Sequence, residues 1–384
     1  TSVSSRAALG ALPYSAMENE VSEIELTPKQ RVAALRETLE KARDESGKER
    51  VLILTHRSPD PDAMGAAVGM KLLIEEAFQM RATIATVGRI HRAENQAMVR
   101  ELELDFSDSE KMDHSKFMGL VLVDTQPSFG HTTIPGDLPV LAVIDHHEPP
   151  SIDVDPDAQE ATHLEDIRVG VGATSSMVFE YLCEAGIQPD ARTAGAIFCG
   201  VRYDTGDLAE GVTDLDQRAW FDCFRRADQG ALQRIQRPSL PAAYFSQLAI
   251  ALRSARQHGN MVLGLLGEVV NPEAVSEMAD FFVRLEDCRW SLVGGSYEGD
   301  YYLSLRTSVG ESGAYNLLGV ILEGKGSFGG HGRIAGGRLA LDDPIDTSLR
   351  EIEREIRERV LLIIGRGAGS DEPDSEMRLG RPLA

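Results

Sequence analysis

The chain has 384 residues, 42% of them apolar and 26% charged, the proportions of a globular protein long enough for two domains. Its 61 acidic residues outweigh 39 basic ones to leave a net charge of −22, which argues against gripping a long nucleic-acid duplex through many phosphates. No apolar run approaches the roughly 20 residues that cross a bilayer, so no membrane partner is expected.

Residues 1–26 read as a disordered lead-in. In "TPKQRVAALRETLEKARDESG" (27–47), Thr27 suits an N-cap, Pro28 the first helical position and Gln30 a capping box, which predicts a helix. "RVLILTH" (50–56) then reads as a buried strand, 62–78 as a helix and "ATIATV" (82–87) as a second strand. "MGLVLVD" (118–124) and "PVLAVIDHH" (139–147) repeat the pattern of apolar residues ending in an acid or histidine. Helices follow at 172–185, 190–201 and 214–229, and "ALQRIQRPSLP" (231–241) reads as a linker. Beyond it lie strands at 261–269, 288–295 and 301–308, and helices near 272–286, 313–323 and 344–364. A glycine cluster spans 324–337 and a disordered tail 367–384.

Continuous apolar strands alternating with helices imply an α/β fold whose mainly parallel sheet is covered by helices. The expected division is a catalytic domain at 27–230 and a smaller α/β domain at 242–366. Cys183, Cys199, Cys223 and Cys288 form no CxxC pair and sit in apolar segments. They read as buried free thiols of a reducing, cytoplasmic compartment.

The chemistry concentrates where strands end. "THRSPDPDAMGAA" (55–67) places His56, Asp60 and Asp62 within seven residues on a turn stiffened by two prolines. Gly65 there allows close approach at the start of the following helix. Alone, this cluster fits a metal site and an N-cap carboxylate about equally. "VLVDTQP" adds Asp124, "VIDHHEPP" adds Asp145, His146 and His147, and "CGVRYDTGDL" adds Asp204. Polar residues at the ends of parallel strands gather at the edge where open α/β sheets bind ligands. Carboxylates that close together raise one another's pKa values, a conflict that divalent cations resolve. Oxygen ligands with some imidazole and no thiolate suit Mn²⁺ or Mg²⁺ better than structural Zn²⁺.

The ordered motifs "HRSPDPDAMG", "LVDTQP", "VIDHH", "GVRYDTGD" and "GGHGRIAGG" (329–337) resemble the DHH-family phosphoesterases, over roughly residues 50–340. Phe328 stands where that glycine–histidine signature often begins with glycine, and Ala66 where a Ser often follows the motif glycine. The resemblance implies a DHH domain with its associated C-terminal domain, and two divalent cations: Mn²⁺ first, Mg²⁺ or Co²⁺ as alternatives. It assigns one cation to His56, Asp60 and Asp124, and the other to Asp62, Asp124, His146 and Asp204, with Asp124 shared. A hydroxide between the cations would attack phosphorus in line. His147, pointing elsewhere than His146, would contact the scissile phosphate or protonate the leaving oxygen. Asp145 would support from behind. Substrate contacts fall to Arg306, His331, Gly329, Gly330, Arg333 and Asn95. The other five histidines read as surface or packing residues.

Within that superfamily the lack of extra modules points to a nano-RNase or PAP phosphatase. Such an enzyme cuts short oligoribonucleotides to mononucleotides or dephosphorylates 3′-phosphoadenosine 5′-phosphate. The alternatives are a soluble cyclic-dinucleotide or pApA phosphodiesterase, a RecJ-like single-strand exonuclease and a non-catalytic nucleotide-binding regulator. The expected partner is a short RNA or nucleotide phosphate, and the reading allows a homodimer.

Overall fold

A computed structural model describes residues 26–129, 132–135, 138–149, 162–209, 211–308, 313–342, 345–367 and 380–383. The expected lead-in and most of the tail lie outside them. Thr27 caps α1 (Pro28–Ser46) with the full capping box to Gln30, and Gly47 ends it at φ 66°. The first sheet is built from β1 (Arg50–Leu54), β2 (Arg81–Thr86), β3 (Ser107–Asp108), β4 (Gly119–Val123), β5 (Val140–Asp145) and β6 (Leu164–Ile167). Between and after these strands come α2 (Pro61–Phe78), α3 (Ala93–Glu101), α4 (Thr174–Glu184), α5 (Ala191–Asp204), α6 (Asp214–Arg226) and α7 (Gln229–Gln236).

All neighbours in the order β3-β2-β1-β4-β5-β6 are parallel. Both faces are buried. Val51 and Ile53 enter a core formed with α1, α2, α4 and α5, while Leu52 and Leu54 enter a second one with Phe117 and Leu138. Each such side chain contributes roughly 1.5–3 kcal/mol by leaving water. The order reverses between β1 and β4, which opens a crevice outside their C-terminal ends.

The second sheet has the order β11-β12-β10-β9-β8-β7-β13. Its strands are β7 (Arg256–His258), β8 (Met261–Glu268), β9 (Trp290–Tyr297), β10 (Asp300–Thr307), β11 (Ser327–His331), β12 (Ile334–Ala340) and β13 (Arg381–Pro382). Only β8 and β9 pair in parallel. On one face pack α10 (Ala314–Leu322) and α11 (Ile345–Gly367), through Leu318, Ile321, Ile356 and Val360. On the other pack α8 (Ala242–Ser254) and α9 (Glu273–Phe282), through Ala251, Val275, Met278 and Phe282.

Several expectations change. The segment 231–241 begins as helix, because Ala231, Leu232 and Ile235 are buried in the first core; only 237–241 connects the units without regular structure. Within the expected tail, Arg381 and Pro382 pair antiparallel with β7, and Arg381 Nη2 donates to Gln257 Oε1 at 2.8 Å. The glycine cluster forms a β-hairpin, in which Gly329 and Gly330 pair with Gly336 and Ala335. Cys183 is exposed near the end of α4, while the other three cysteines are buried and free. No described helix is long and apolar enough to cross a membrane.

Candidate metal centre

The ends of β1, β4 and β5 deliver His56, Asp124 and the Asp145–His146–His147 run to the crevice. Asp204 arrives differently. It closes helix α5 and follows no strand, because the apolar spacing of "AGAIFCGV" continues helical through Val201 to the acid. Three groups of ligand atoms each lie within 4.8 Å: His56, Asp60 and Asp124; Asp62, His146 and Asp204; and Asp124, His146 and His147. Every metal ligand expected from the sequence is therefore in one cluster, with Asp124 in two of the groups.

The supports are local and redundant. Asp60 is both cap and cluster member: its Oδ1 accepts from Asp62 N–H at 2.9 Å and Ala63 N–H at 3.0 Å, and stands 4.0 Å from His56 Nε2. Asp62 is wholly buried and accepts the backbone N–H groups of Thr174 at 2.6 Å and Ser175 at 2.8 Å. Those groups open α4, whose own N-cap residue, Ala173, supplies no side-chain acceptor. Asp62 thus caps a helix 112 residues away. Gly200 makes room for this seat, since a Cβ there would stand 2.9 Å from Asp62 Oδ1. Gly65 serves the same packing, with its virtual Cβ 2.6 Å from Ala196 O.

Asp124 follows β4 at φ 57°, a left-handed conformation costly for a non-glycine residue. Thr174 Oγ1 donates to its Oδ1 at 2.8 Å. The surroundings then set the histidines. His56 Nδ1 lies 2.9 Å from Arg57 O and His146 Nδ1 3.1 Å from Val171 O; a carbonyl only accepts, so each Nδ1 carries a proton. Their Nε2 atoms face the carboxylates, at 3.7 Å from Asp124 in both cases. Such carbonyl partners are how ligating histidines are commonly oriented.

Asp145 is the fully buried hub behind the cluster. It accepts from His146 N–H at 2.8 Å, His147 N–H at 3.3 Å and Gln126 Nε2 at 2.8 Å, and its Oδ1 is 2.8 Å from His147 Nδ1. His147 does not point elsewhere: its ring is 4.3 Å from that of His146, and its Nδ1 is 3.7 Å from Asp124 Oδ1. The shared Asp145 hub draws both histidines to one wall.

Electrostatic conflict is concentrated here. Burial, then the charges of Asp62, Asp60, Asp204 and Asp145, pushes the Asp124 carboxyl well above the usual range. Burial and then Asp60 push Asp204 up to about 7. Burial opposes the charged form of His146, but Asp204 and Asp62 raise it to about 10. Burial likewise raises Asp62. Asp145 moves the other way: burial alone would raise it, and the His147 and Gln126 hydrogen bonds hold it below the usual value. Asp124 Oδ2 is buried without a hydrogen-bond partner, and His146 Nε2 makes no aligned hydrogen bond although Asp204 Oδ2 stands 3.1 Å away. An unsatisfied buried acceptor costs about 1–3 kcal/mol. Two orphaned ligand atoms facing one acidic cluster fit divalent cations.

The expected substrate contacts divide. Arg306 on β10, Ile334 on β12 and His331 on β11 stand in one cross-strand row. The side chain of His331 lies outside the described residues. The carbonyl of Arg333 accepts from Thr307 N–H at 3.1 Å, which ties the hairpin turn to the end of β10. Arg306 is buried against α9: its Nε donates to Asp280 Oδ1 at 2.5 Å and its Nη1 to Ser304 Oγ at 2.7 Å. Asn95 is buried and donates to Pro59 O at 3.0 Å, so its amide nitrogen stiffens the His56–Asp60 loop. Sequence reasoning missed Thr174, Ser175 and Gln126, which hold the ligands. The absence of a capping side chain at Ala173 was the one available signal.

Residues 50–201 match the family model described as DHH family, N-terminal domain. An uncharacterized protein of Methanocaldococcus jannaschii is 31% identical over 334 residues, 85% of this chain; the chain spans 66% of that relative's length. In structure, an exopolyphosphatase-related protein from Bacteroides fragilis superposes with a TM-score of 0.64 at 14% identity, covering 86% of this chain and 98% of its own. A RecJ from Thermus thermophilus in complex with Mn²⁺ gives 0.43 at 13% identity, covering 85% of this chain and 55% of its own. With the parallel sheet and its motif-bearing strand ends in place, residues 50–201 are similar to the N-terminal domain of the DHH family.

Proposed function

We propose that the protein is a divalent-metal-dependent phosphoesterase. It hydrolyses short oligoribonucleotides to mononucleotides, removes the 3′ phosphate of 3′-phosphoadenosine 5′-phosphate, or does both. The observation that carries this reading is the pair of orphaned ligand atoms, Asp124 Oδ2 and His146 Nε2, within a crowd of carboxylates whose burial disfavours their charged forms. His56, Asp60 and Asp124 would hold one cation; Asp62, Asp124, His146 and Asp204 would hold the other. Bound cations supply Lewis acidity toward a phosphoryl oxygen and lower the pKa of water.

The chain's own residues supply the rest. Asp145 accepts the His147 Nδ1 proton and fixes the ring, and a His147 protonated on both nitrogens could donate from Nε2 to the phosphate or the leaving oxygen. Gln126 locks that arrangement by donating to both Asp145 Oδ2 and the His147 carbonyl, at 2.8 and 2.9 Å. Arg306 and the β11–β12 hairpin would grip the substrate's far phosphate from the second unit. The acidic net charge of −22 favours a short substrate that demands few phosphate contacts.

The test is turnover. Purified protein with Mn²⁺ should release mononucleotides from a 5′-labelled RNA dinucleotide, and Asp124→Ala should abolish release. A panel of RNA of two to ten nucleotides, pApA, cyclic dinucleotides and 3′-phosphoadenosine 5′-phosphate ranks the substrates. Binding of dinucleotide without hydrolysis under Mn²⁺, Mg²⁺ and Co²⁺ alike would sink the reading.

A further inference from the structure

One guanidinium bonds to both units. Arg92 precedes α3 of the first unit, and its side chain is only 16% exposed. Its Nη1 donates to the Tyr203 hydroxyl at 3.0 Å, and Tyr203 adjoins Asp204 on α5. Its Nη2 donates to Ser276 Oγ and Asp280 Oδ2 on α9, both at 3.0 Å, while its Nε stands 3.4 Å from Glu273 Oε2. Asp280 takes Arg92 on Oδ2 and Arg306 on Oδ1. A continuous polar chain therefore runs from Asp204's neighbour through Tyr203, Arg92 and Asp280 to Arg306.

We infer that Arg92 is a positioning residue that sets the distance between the hydrolytic centre and the Arg306 grip, and so selects substrate length. This rests on the phosphoesterase reading above. The geometry supports a clamp over a phosphate subsite at Arg92 itself: Glu273, Glu277 and Asp280 crowd the same face of α9, and Glu94 lies close enough to act on Glu277. Free phosphate would be repelled there. The carboxylates instead hold the arginine, and a planar five-donor fork can serve both units at once where an ammonium cannot. Asp280 also fixes the direction of Arg306, so loss of Arg92 releases one oxygen of Asp280 and loosens the second arginine. The connecting residues 237–241 have no regular structure to hold the units in its place.

The experiment compares wild type with Arg92→Ala, Arg92→Lys and Asp280→Asn in the full-length protein. Three readouts are taken: steady-state kinetics on RNA of two and six nucleotides with Mn²⁺, Mn²⁺ affinity by calorimetry, and amide hydrogen exchange. Misplacing reacting groups by about 1 Å costs up to roughly a hundredfold. Arg92→Ala should lower kcat/KM on the dinucleotide roughly ten- to a hundredfold, mostly through KM, and change the hexanucleotide value less than about threefold. Arg92→Lys should recover part of the length preference, and Asp280→Asn should resemble Arg92→Ala. Mn²⁺ affinity should stay within about threefold, and exchange should rise in α9 for Arg92→Ala. Equal losses on both substrates, a loss of Mn²⁺ binding or unchanged exchange in α9 would each overturn the inference. If wild type turns over neither RNA, the phosphoesterase reading on RNA fails, and the α9 exchange still decides whether Arg92 clamps the units.

Discussion

At the edge of the first sheet, Asp62, Asp124 and Asp145 are buried carboxylates, and two of them are pushed toward their neutral forms. On the second sheet the corresponding buried charge is Arg306, whose Nε and Nη1 are answered by Asp280, Ser304 and a backbone carbonyl. The first unit stores its unfavourable terms at one place: a left-handed Asp124, orphaned ligand atoms and like charges side by side. The second unit shows no comparable cluster among the described residues. On the proposed reading, a centre for cations would be poor at satisfying itself, whereas a grip for anions could rest in ion pairs until the substrate competes for them.

The largest expected effect comes from removing that dissatisfaction. Asp124→Asn should cut kcat by roughly a thousandfold or more, as loss of a central catalytic group does. It should also stabilise the metal-free protein. Asp204 at about 7 and His146 at about 10 both lie above their unfolded values, so each contributes stability at low pH that is lost as pH rises through the folded pKa. For Asp204 that window runs from the ordinary carboxylate range up to about 7; for His146 it continues to about 10. On the proposed reading, cations would replace those protons. In wild type, the Mn²⁺-induced rise in Tm should therefore be larger at pH 8 than at pH 6. In Asp124→Asn the metal-free Tm at pH 8 should rise, and the Mn²⁺ response should vanish. A wild-type Mn²⁺ response that shrinks as pH rises would show that the carboxylates are not the groups being relieved.

A second, smaller effect separates the ligands from their supports. Gly200→Ala adds a Cβ that would press on Ser175 Oγ and stand 2.9 Å from Asp62 Oδ1, with both neighbours fully buried. Overpacking of this kind costs about 1–3 kcal/mol. Disturbed outer partners typically cost a metal site roughly 10–100-fold in affinity. The variant should show that loss by calorimetry while keeping every ligand. Unchanged affinity would mean that Asp62 serves α4 alone.

The sequence made the ligands legible because their chemistry sits in short, ordered motifs at the ends of apolar strands. The capping box at Thr27 was legible for the same reason: cap and partner lie three residues apart. What could not be read depends on long-range pairing. Asp62 meets α4 across 112 residues, Gln126 reaches Asp145 across 19, and Arg92 reaches Asp280 across 188. Neither periodicity nor spacing encodes those partners. The helix at 190–201 was legible but Asp204 was grouped with the strand ends, and the helical start of 231–241 was misread, because short apolar runs look alike in strands, helices and joints until burial is known.

The smallest expected effect probes the second unit. Phe328 replaces a glycine common in the glycine–histidine signature, and its half-buried ring fills real space. It lies 5.2 Å from the Tyr315 ring, and a Cβ on Gly319 would be 3.1 Å from it, so it packs across α10. The extra ring therefore fastens the edge hairpin to a helix, where glycine would leave it held by strand pairing alone. Truncation of a fully buried Phe costs about 3–5 kcal/mol, and a half-buried ring about half of that. Phe328→Ala should accordingly lower stability by about 1.5–2.5 kcal/mol in urea unfolding. Mn²⁺ affinity and its pH dependence should not move, because, among the described residues, none of the groups that could hold a metal lies in this unit. A Phe328→Ala protein that loses Mn²⁺ binding would erase the division between a strained centre and a satisfied grip. One that keeps Mn²⁺ but raises KM for the dinucleotide would place the hairpin's stiffness in the service of substrate binding.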